Sequence, residues 1–509
     1  MNQLDIAQPF PIFITAAGAR QPQPQPQPLP DPFDCTSGDC ACSLPVPSYS
    51  RPVSNPHFHS LALKQQQDAR VLPVNDQFLA CFGPFQNFGV LNRAGLQVWK
   101  EFASYNTPAG TTAKLNSQFP EDHIRRTIAH LYQQNALVHQ NQVSPTLQAN
   151  PQTLVSWLHI TDRCNLRCDY CYLPHKKQDM SFEMGSAAID AALRSAARGN
   201  YHSLQVKYAG GEPMILFPLV TALQEYALVQ TRVQGFTLDG VILSNGTLIN
   251  ETIIRDLRRL NLRLMISLDE LENVDSCQRP YANGANSAAA AMHSIRNCLD
   301  QGLIPHISIT VSSKNVQTLP ELMAWILEHR LPFHLNFYRE NDLARDRNSL
   351  QLDQERIISG MLQVYKTIEQ NLPMFSLLEA LADLANFSTP HSKTCGVGQN
   401  YMVFDHQGNI SKCQMQRHSH VTNVNSPDPL LQIQNDSHGI QNLDVSHKEP
   451  CNSCEWRYWC AGGCPLVTFR ATGRYDLNSP NCEIYKALYP EVIRLEAIRL
   501  LKVKRLPVS

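Results

Sequence analysis

His159-Ile-Thr-Asp-Arg-Cys164-Asn-Leu-Arg-Cys168-Asp-Tyr-Cys171-Tyr172 sets three cysteines at Cys-x3-Cys-x2-Cys spacing. They follow directly on the apolar, β-branched run Leu154–Thr161, which reads as a strand. A structural zinc site wants four closed ligands, commonly in Cys-x2-Cys pairs. Three thiolates in one loop suit a [4Fe–4S] cluster better, with one iron left free of protein ligands. Such an iron can take a chelating cofactor and pass it an electron. A purely structural cluster, or a zinc site short of its fourth ligand, is the competing reading.

Downstream of this loop, strand and helix alternate. Strands are predicted at Leu154–Thr161, Ser203–Ala209, Phe236–Ser244, Leu262–Leu268, His306–Ser312 and Phe333–Tyr338. Helices are predicted between them at Glu183–Arg198, Pro218–Val233, Glu251–Leu260, Ala285–Gln301 and Leu319–Arg330. This order implies parallel pairing with right-handed crossovers. Six βα units fall short of a closed eight-stranded barrel, so the fold class is α/β, with a partial (βα)6 barrel over residues 151–345. Sites in such barrels form at the carboxyl ends of the strands, which is where the cysteine loop lies.

The rest of the chain divides around this core. Residues 1–72, with Arg20-Gln-Pro-Gln-Pro-Gln-Pro-Gln-Pro-Leu-Pro30, read as a Pro/Gln-rich disordered tail. Cys35, Cys40 and Cys42 fall there and read as free thiols, a metal site completed from elsewhere being the alternative. Residues 73–145 read as a small winged-helix-like domain. It has strands at Phe78–Phe82 and Gly89–Leu91 around a Gly-Pro turn, and helical faces at Leu96/Val98/Trp99/Phe102 and Ile124/Ile128/Leu131. Residues 346–392 read as a helical linker, 393–488 as a cysteine-rich domain, and 489–509 as a C-terminal segment with a basic amphipathic helix over Pro490–Lys504.

The 509 residues carry 43 Lys+Arg against 44 Asp+Glu, and this balance argues against binding nucleic acid through a broad basic surface. No apolar run approaches the roughly 18–20 residues of a membrane span. No basic-led apolar segment with a small-residue cleavage site opens the chain. A cytoplasmic location is expected, where 16 cysteines read as metal or redox chemistry before disulfides.

The cysteine loop, with Tyr170 just before its last cysteine, resembles the cluster motif of the radical S-adenosylmethionine (radical SAM) superfamily. Further motifs follow at successive strand ends: Gly210-Gly211-Glu212-Pro213, Ser244-Asn245-Gly246-Thr247, and Ser267-Leu-Asp269 followed by Arg279. The resemblance implies that Cys164, Cys168 and Cys171 hold the cluster. It further implies that the Gly-Gly-Glu-Pro stretch holds the methionine amine and that Ser267 and Arg279 contact the carboxylate and ribose, with Ser244, Asn245 and Asp269 also in the cofactor site. It also implies the reaction class: the reduced cluster cleaves S-adenosylmethionine to a 5′-deoxyadenosyl radical that takes a hydrogen atom from an unactivated carbon.

Seven cysteines near the end follow a second pattern. Cys395 precedes Gly408 and Cys413, and then come Cys451, Cys454, Cys460, Cys464 and Cys482. A zinc ribbon is the alternative for Cys451-x2-Cys454 alone. The full pattern resembles the SPASM extension of radical SAM enzymes. By that resemblance Cys451, Cys454, Cys460 and Cys482 hold one auxiliary [4Fe–4S] cluster, while Cys395, Cys413 and Cys464 hold a second. No eighth cysteine lies between Cys298 and Cys395, so the fourth position of that second cluster is open, filled by a group such as His391, or taken by substrate.

Phe85–Phe102 resembles a PqqD-like peptide-recognition element, which implies that a leader peptide adds as a strand at a sheet edge; a plain structural cap is the alternative. Together these resemblances imply a radical SAM oxidoreductase that modifies a ribosomally made precursor peptide by crosslinking or backbone excision, fed by a ferredoxin or flavodoxin. Sulfatase-type relatives carry an aspartate base directly after the cysteine matching Cys413. Gln414 stands there and disfavours that chemistry. A non-catalytic iron–sulfur scaffold is the reading from another class. Arg339 and Glu340, at the end of the sixth strand, are expected to grip substrate or pair with each other, and Cys81, Cys277 and Cys298 to be core thiols.

Overall fold

The computed structural model describes residues 11–15, 57–140, 147, 152–274, 278–345 and 347–503. Its N-terminal unit begins with β1 (Phe13–Thr15), β2 (Leu63–Gln65), β3 (Arg70–Pro73), β4 (Phe78–Gly83) and β5 (Gln86–Asn92). Helices α1 (Arg93–Lys100), α2 (Pro108–Leu115) and α3 (Glu121–Gln133) follow, then β6 (Leu137–His139). Four of the strands form an antiparallel sheet in the order β1-β5-β4-β3, and β2 pairs with β6. The Asn92 side chain caps α1 by accepting from Gly95 N. Val98, Trp99, Phe102, Ile124, Ile128 and Leu131 are buried together, as their helical spacing requires.

Residues 11–15 and 57–72, placed in the tail from sequence, are instead part of this unit. The tail composition is set by the intervening Pro/Gln run, and the three short strands β1, β2 and β3 are too brief to show a period. Cys35, Cys40 and Cys42 lie outside the described residues, as does Cys277. Cys81 and Cys298 are buried.

The barrel runs β7 (Thr153–Thr161), α4 (Phe182–Arg198), β8 (Ser203–Gly210), α5 (Phe217–Gln234), β9 (Thr237–Ser244), α6 (Glu251–Arg259), β10 (Leu262–Ser267), α7 (Ala288–Asp300), β11 (His306–Val311), α8 (Leu319–Glu328) and β12 (Phe333–Phe337). Each strand pairs in parallel with the next. The ends are set locally: Ser181 caps α4 through Met184 N, Asn250 caps α6 through Ile253 N, and Gly235, at φ 78°, closes α5. Contrary to the expectation from sequence, one stretch, Pro213–Gln234, is long and apolar enough to cross a bilayer. Here it is the crossover between β8 and β9, with Val220, Leu223 and Ala227 buried in the barrel core.

After α9 (Arg347–Leu350) and α10 (Gln354–Gln370), the sheet continues. β13 (Tyr401–Phe404) pairs in parallel with β7, and β14 (Asn409–Ser411) and β15 (His420–Asn423) add antiparallel, giving the nine-strand order β12-β11-β10-β9-β8-β7-β13-β14-β15. The chain ends with α11 (Pro429–Asn435), α12 (Arg457–Cys460), α13 (Pro465–Thr472) and α14 (Cys482–Val503).

Two expectations change here. Residues 371–400 carry no helix. Their backbone is tied to other elements, with Leu377 N donating to the Glu496 carboxylate (2.9 Å), Asn386 N to Trp459 O and His391 N to Tyr458 O. The last helix starts at Cys482 and carries Pro490 inside it. A proline there lacks the N–H that would bond the Lys486 carbonyl, but Leu488, Tyr489, Val492 and Ile493 are buried around it and hold the helix.

Candidate functional site at the strand ends

The Cys164–Cys171 loop leaves β7 and is held from several sides. Gly211 N donates to Thr161 O (2.7 Å) and Glu212 N to Arg163 O (2.8 Å). A Cβ on Gly210 would lie 2.4 Å from Thr161 O, and one on Gly211 2.2 Å from Arg163 O. The two glycines therefore allow the end of β8 to lie against the start of the loop. Lys314 pairs with Asp169 (2.6 Å), and Asn341 Nδ2 donates to Tyr170 O (3.0 Å).

Glu212 is fully buried. Its Oε1 accepts from Met214 N (3.0 Å) and Ser244 Oγ (2.8 Å), and its Oε2 from Asn245 N (2.7 Å). Burial raises its pKa against those hydrogen bonds. Pro213 opens the turn that follows. Asn245 Nδ2 donates to Asn165 Oδ1 (2.8 Å) and lies 3.9 Å from Cys164 Sγ. Thus the ends of β8 and β9 are joined through Glu212 and reach the first cysteine.

On the other side, Asp269 accepts from Thr310 N (2.7 Å) and Tyr170 OH (2.6 Å), and Arg279 donates to Tyr170 and lies 3.7 Å from Asp269. Ser267 ends β10, half-buried. The structure therefore assembles Cys164, Glu212, Ser244, Asn245, Asp269 and Arg279 around one loop. In it, Glu212 and Asp269 already bond protein groups.

Cys171 disfavours the ionisation of Cys164 and of Cys168, and Cys164 that of Cys168. Burial pushes Cys164 up to about 11, with Glu212 and Cys171 adding to it, and raises Cys168 and Cys171 as well; Arg279 opposes each. Clustered thiols of this kind ionise when a cation binds them. Among the described residues no three His, Cys, Asp or Glu side chains converge on a single ion. The thiolates of a four-iron cluster attach to separate irons and need no such convergence. The donor set fits the cluster.

In the C-terminal region Cys451, Cys454, Cys460 and Cys482 line one small cavity of about 20 Å³, with Tyr485 and Tyr489. Burial pushes Cys451 up to about 12 and Cys460 up to about 11. Cys395 and Cys413 lie in a separate apolar cluster, with Cys464 against it. Lys448 sits between the two sets. It is 1% exposed, donates to Ala461 O (2.7 Å), and faces Cys395, Cys451, Cys460 and Cys464. His391, which also faces Lys448, is buried, and its Nε2 has no hydrogen-bond partner among the described residues. Tyr401 OH donates to Gln414 Oε1 (3.0 Å).

Arg339 bonds Asp383 (2.9 Å), and the Glu340 carbonyl accepts from Arg470. Sequence reasoning missed the buried set His159, Asp162 and Arg417, although Asp162 stands two residues before Cys164. It also missed Lys448, whose sequence position carries no sign of its burial.

Residues 158–326 match the family model of the Radical SAM superfamily, so the chain carries a radical SAM domain. An uncharacterized protein of Methanocaldococcus jannaschii is 30% identical over 171 residues, and the match takes in 33% of this chain and 57% of that protein. Fe-coproporphyrin III synthase of Methanosarcina barkeri is 24% identical, over 65% of this chain and 88% of its own. PqqA peptide cyclase of Gluconobacter oxydans is 24% identical, over 67% of this chain and 92% of its own. The solved structure of native anSMEcpe with bound AdoMet and Cp18Cys peptide shares the fold at TM-score 0.55 and 17% identity, covering 69% of this chain and 99% of that one.

Proposed function

We propose that this protein is a radical SAM enzyme that oxidatively modifies a ribosomally made precursor peptide, by crosslinking or by backbone excision. The observation that carries the reading is the presence, in one chain, of three grouped thiols at the strand ends and a separate four-thiol cavity in the region that extends the same sheet. When bound, a [4Fe–4S] cluster and S-adenosylmethionine supply the hydrogen-atom abstraction. Cys164, Cys168 and Cys171 would hold that cluster, with Arg279 supplying positive charge beside it. Cys451, Cys454, Cys460 and Cys482 would hold one auxiliary cluster, and Cys395, Cys413 and Cys464 the other, in a SPASM-type extension. A peptide substrate is supported by the likeness to a peptide cyclase over most of its length. Gln414 is an amide and cannot serve as a base, which speaks against sulfatase-type oxidation. A cytoplasmic setting, with a ferredoxin or flavodoxin as electron donor, completes the reading.

The test is the intact mass of a candidate precursor peptide after anaerobic co-expression, with Cys164→Ala as control. A loss of two hydrogens that is absent in the control supports crosslinking, and a loss matching part of a residue supports excision. Reconstituted protein that releases no 5′-deoxyadenosine, even with peptide, overturns the enzymatic reading in favour of a scaffold.

A further inference from the structure

Five residues separate Cys454 from Cys460, and each of them meets the N-terminal unit. The Glu455 carboxylate pairs with Arg70, and Arg457 pairs with Asp68 at 2.9 Å. The Trp456 ring stacks on Phe82, with centroids 6.0 Å apart and planes 13° apart, and the Arg70 guanidinium lies 5.4 Å from its centroid. Tyr458 tilts against Phe85 at 6.4 Å, and Trp459 against Phe82 at 5.4 Å. Asp68 and Arg70 come from the start of β3 and the turn before it, Phe82 from the end of β4 and Phe85 from the turn after it.

The same five residues shape two of the four thiols. Trp456 N donates to Cys454 Sγ (3.4 Å). The Tyr489 hydroxyl donates to Cys460, and the Tyr489 ring meets Trp456 edge-on at 5.4 Å. Phe82, Trp456, Trp459 and Tyr489 are all buried. Because Phe82 and Tyr489 together fix the Trp456 ring, the N–H that reaches Cys454 is held where they put it.

Groups that orient a ligand from behind tune a metal site as well as hold it. For an iron–sulfur site, hydrogen bonds to sulfur and exposure to solvent set the potential. We infer that Asp68, Arg70 and Phe82 are positioning residues for Cys454 and Cys460, so that the N-terminal unit is the outer wall of the four-thiol cavity. A shift in the seat of that unit is felt first at Cys454. That the thiols hold a cluster rests on the function proposed above, whereas the hold of the unit on their geometry does not.

Both ion pairs are partly exposed, so they fix geometry more than they stabilise the fold. The unit can therefore be loosened without unfolding the chain. In metal-free, reduced full-length protein, alkylation of each cysteine by iodoacetamide is timed by peptide mass spectrometry. Arg70→Glu sets a like charge beside Glu455 and is expected to speed alkylation of Cys454 by at least about fivefold, with Cys164 and Cys413 unchanged. Arg70→Glu/Glu455→Arg reverses the pair and is expected to restore the slow rate. An unchanged Cys454 rate in Arg70→Glu, a rise shared equally by all the cysteines, or no recovery in the reversed pair overturns the inference. Should Arg70→Glu fail to fold, Glu455→Gln, at an exposed residue, is expected to speed Cys454 with the same selectivity, and an unchanged rate there overturns it.

After reconstitution with iron and sulfide, Arg70→Glu is expected to alter only the EPR signal that Cys482→Ala removes. A signal identical to that of the unaltered chain overturns the inference. If the unaltered chain shows no such signal, the proposed cluster fails and the positioning stands, because the alkylation rates need no metal.

Discussion

Arg417 grips the carboxylate of Asp162 with both terminal nitrogens, Nη1 to Oδ1 at 2.7 Å and Nη2 to Oδ2 at 2.9 Å, and both side chains are buried. Asp162 lies two residues before Cys164, and Arg417 lies four after Cys413. His159 Nε2, 2.6 Å from Asp162 Oδ1, completes the set. One ion pair thus locks the loop of the barrel's cysteines to the loop of a cysteine in the C-terminal region.

Breaking this pair is expected to cost stability. Burial would raise the pKa of Asp162, but the hydrogen bonds from His159 and Arg417 reverse that and hold it far below the usual carboxylate range. A depressed carboxylate contributes stability that is present above its unfolded value and lost as pH falls toward the folded one. Asp162→Asn leaves Arg417 buried without its counter-charge and is expected to destabilise the protein by about 3–5 kcal/mol at pH 7. Denaturant unfolding measures it, and Asp162→Asn/Arg417→Met is expected to recover part of the loss.

Glu270 predicts a pH dependence of opposite sign. It is 2% exposed, and burial first, then the neighbouring Asp269, push it up to about 8, although Gln278 N donates to it at 2.6 Å. Its contribution is fully present below the ordinary glutamate value and is lost as pH rises toward 8. Glu270→Gln keeps an acceptor for Gln278 N and removes the charge. The variant is expected to gain on the unaltered chain by on the order of 2 kcal/mol between about pH 4.5 and 8, read from melting temperatures across that range. Parallel pH profiles would contradict it.

Lys448 places a buried positive charge between the two sets of C-terminal thiols. A cation stabilises the more negative, reduced form of a cluster held beside it. If the C-terminal thiols hold clusters as proposed, Lys448→Met in reconstituted protein is expected to lower their midpoint potentials by tens of millivolts, followed by EPR-monitored titration with iron content unchanged. Unmoved potentials would show that the ammonium is there only to satisfy Ala461 O.

His391 supplies a test of the set with only three cysteines. Its Nε2 is buried without a partner among the described residues, while Nδ1 is engaged by Thr389 O at 3.0 Å. If Nε2 completes that set, His391→Ala changes the EPR signal assigned to Cys395, Cys413 and Cys464 and leaves that of the four-thiol cavity intact. Identical spectra would exclude histidine ligation.

The six barrel strands lie within one residue of their predicted ends because the signals that bound them are local. Each is an apolar run flanked by a cap such as Ser181 or Asn250 and by a turn residue such as Gly235. The cysteine spacings are local as well, and four of the thiols they group do line one cavity. Nothing local marks Phe13–Thr15 as a strand on β5, β13–β15 as an extension of the barrel sheet, or Arg339 as the partner of Asp383.

From the residues alone came the alternation of strands and helices, the strand ends where the chemistry gathers, and the thiol groupings, since each depends on spacing along a few turns or one pleat. Only the tertiary structure decided that Glu212 spends its carboxylate on Ser244 and Asn245, that Lys448 is buried between two sets of thiols, and that Arg417 reaches back to Asp162. Those partners are 32 to 255 residues apart in some pairs, and a buried charge takes whichever counter-group the packed fold brings within reach, which no periodicity records.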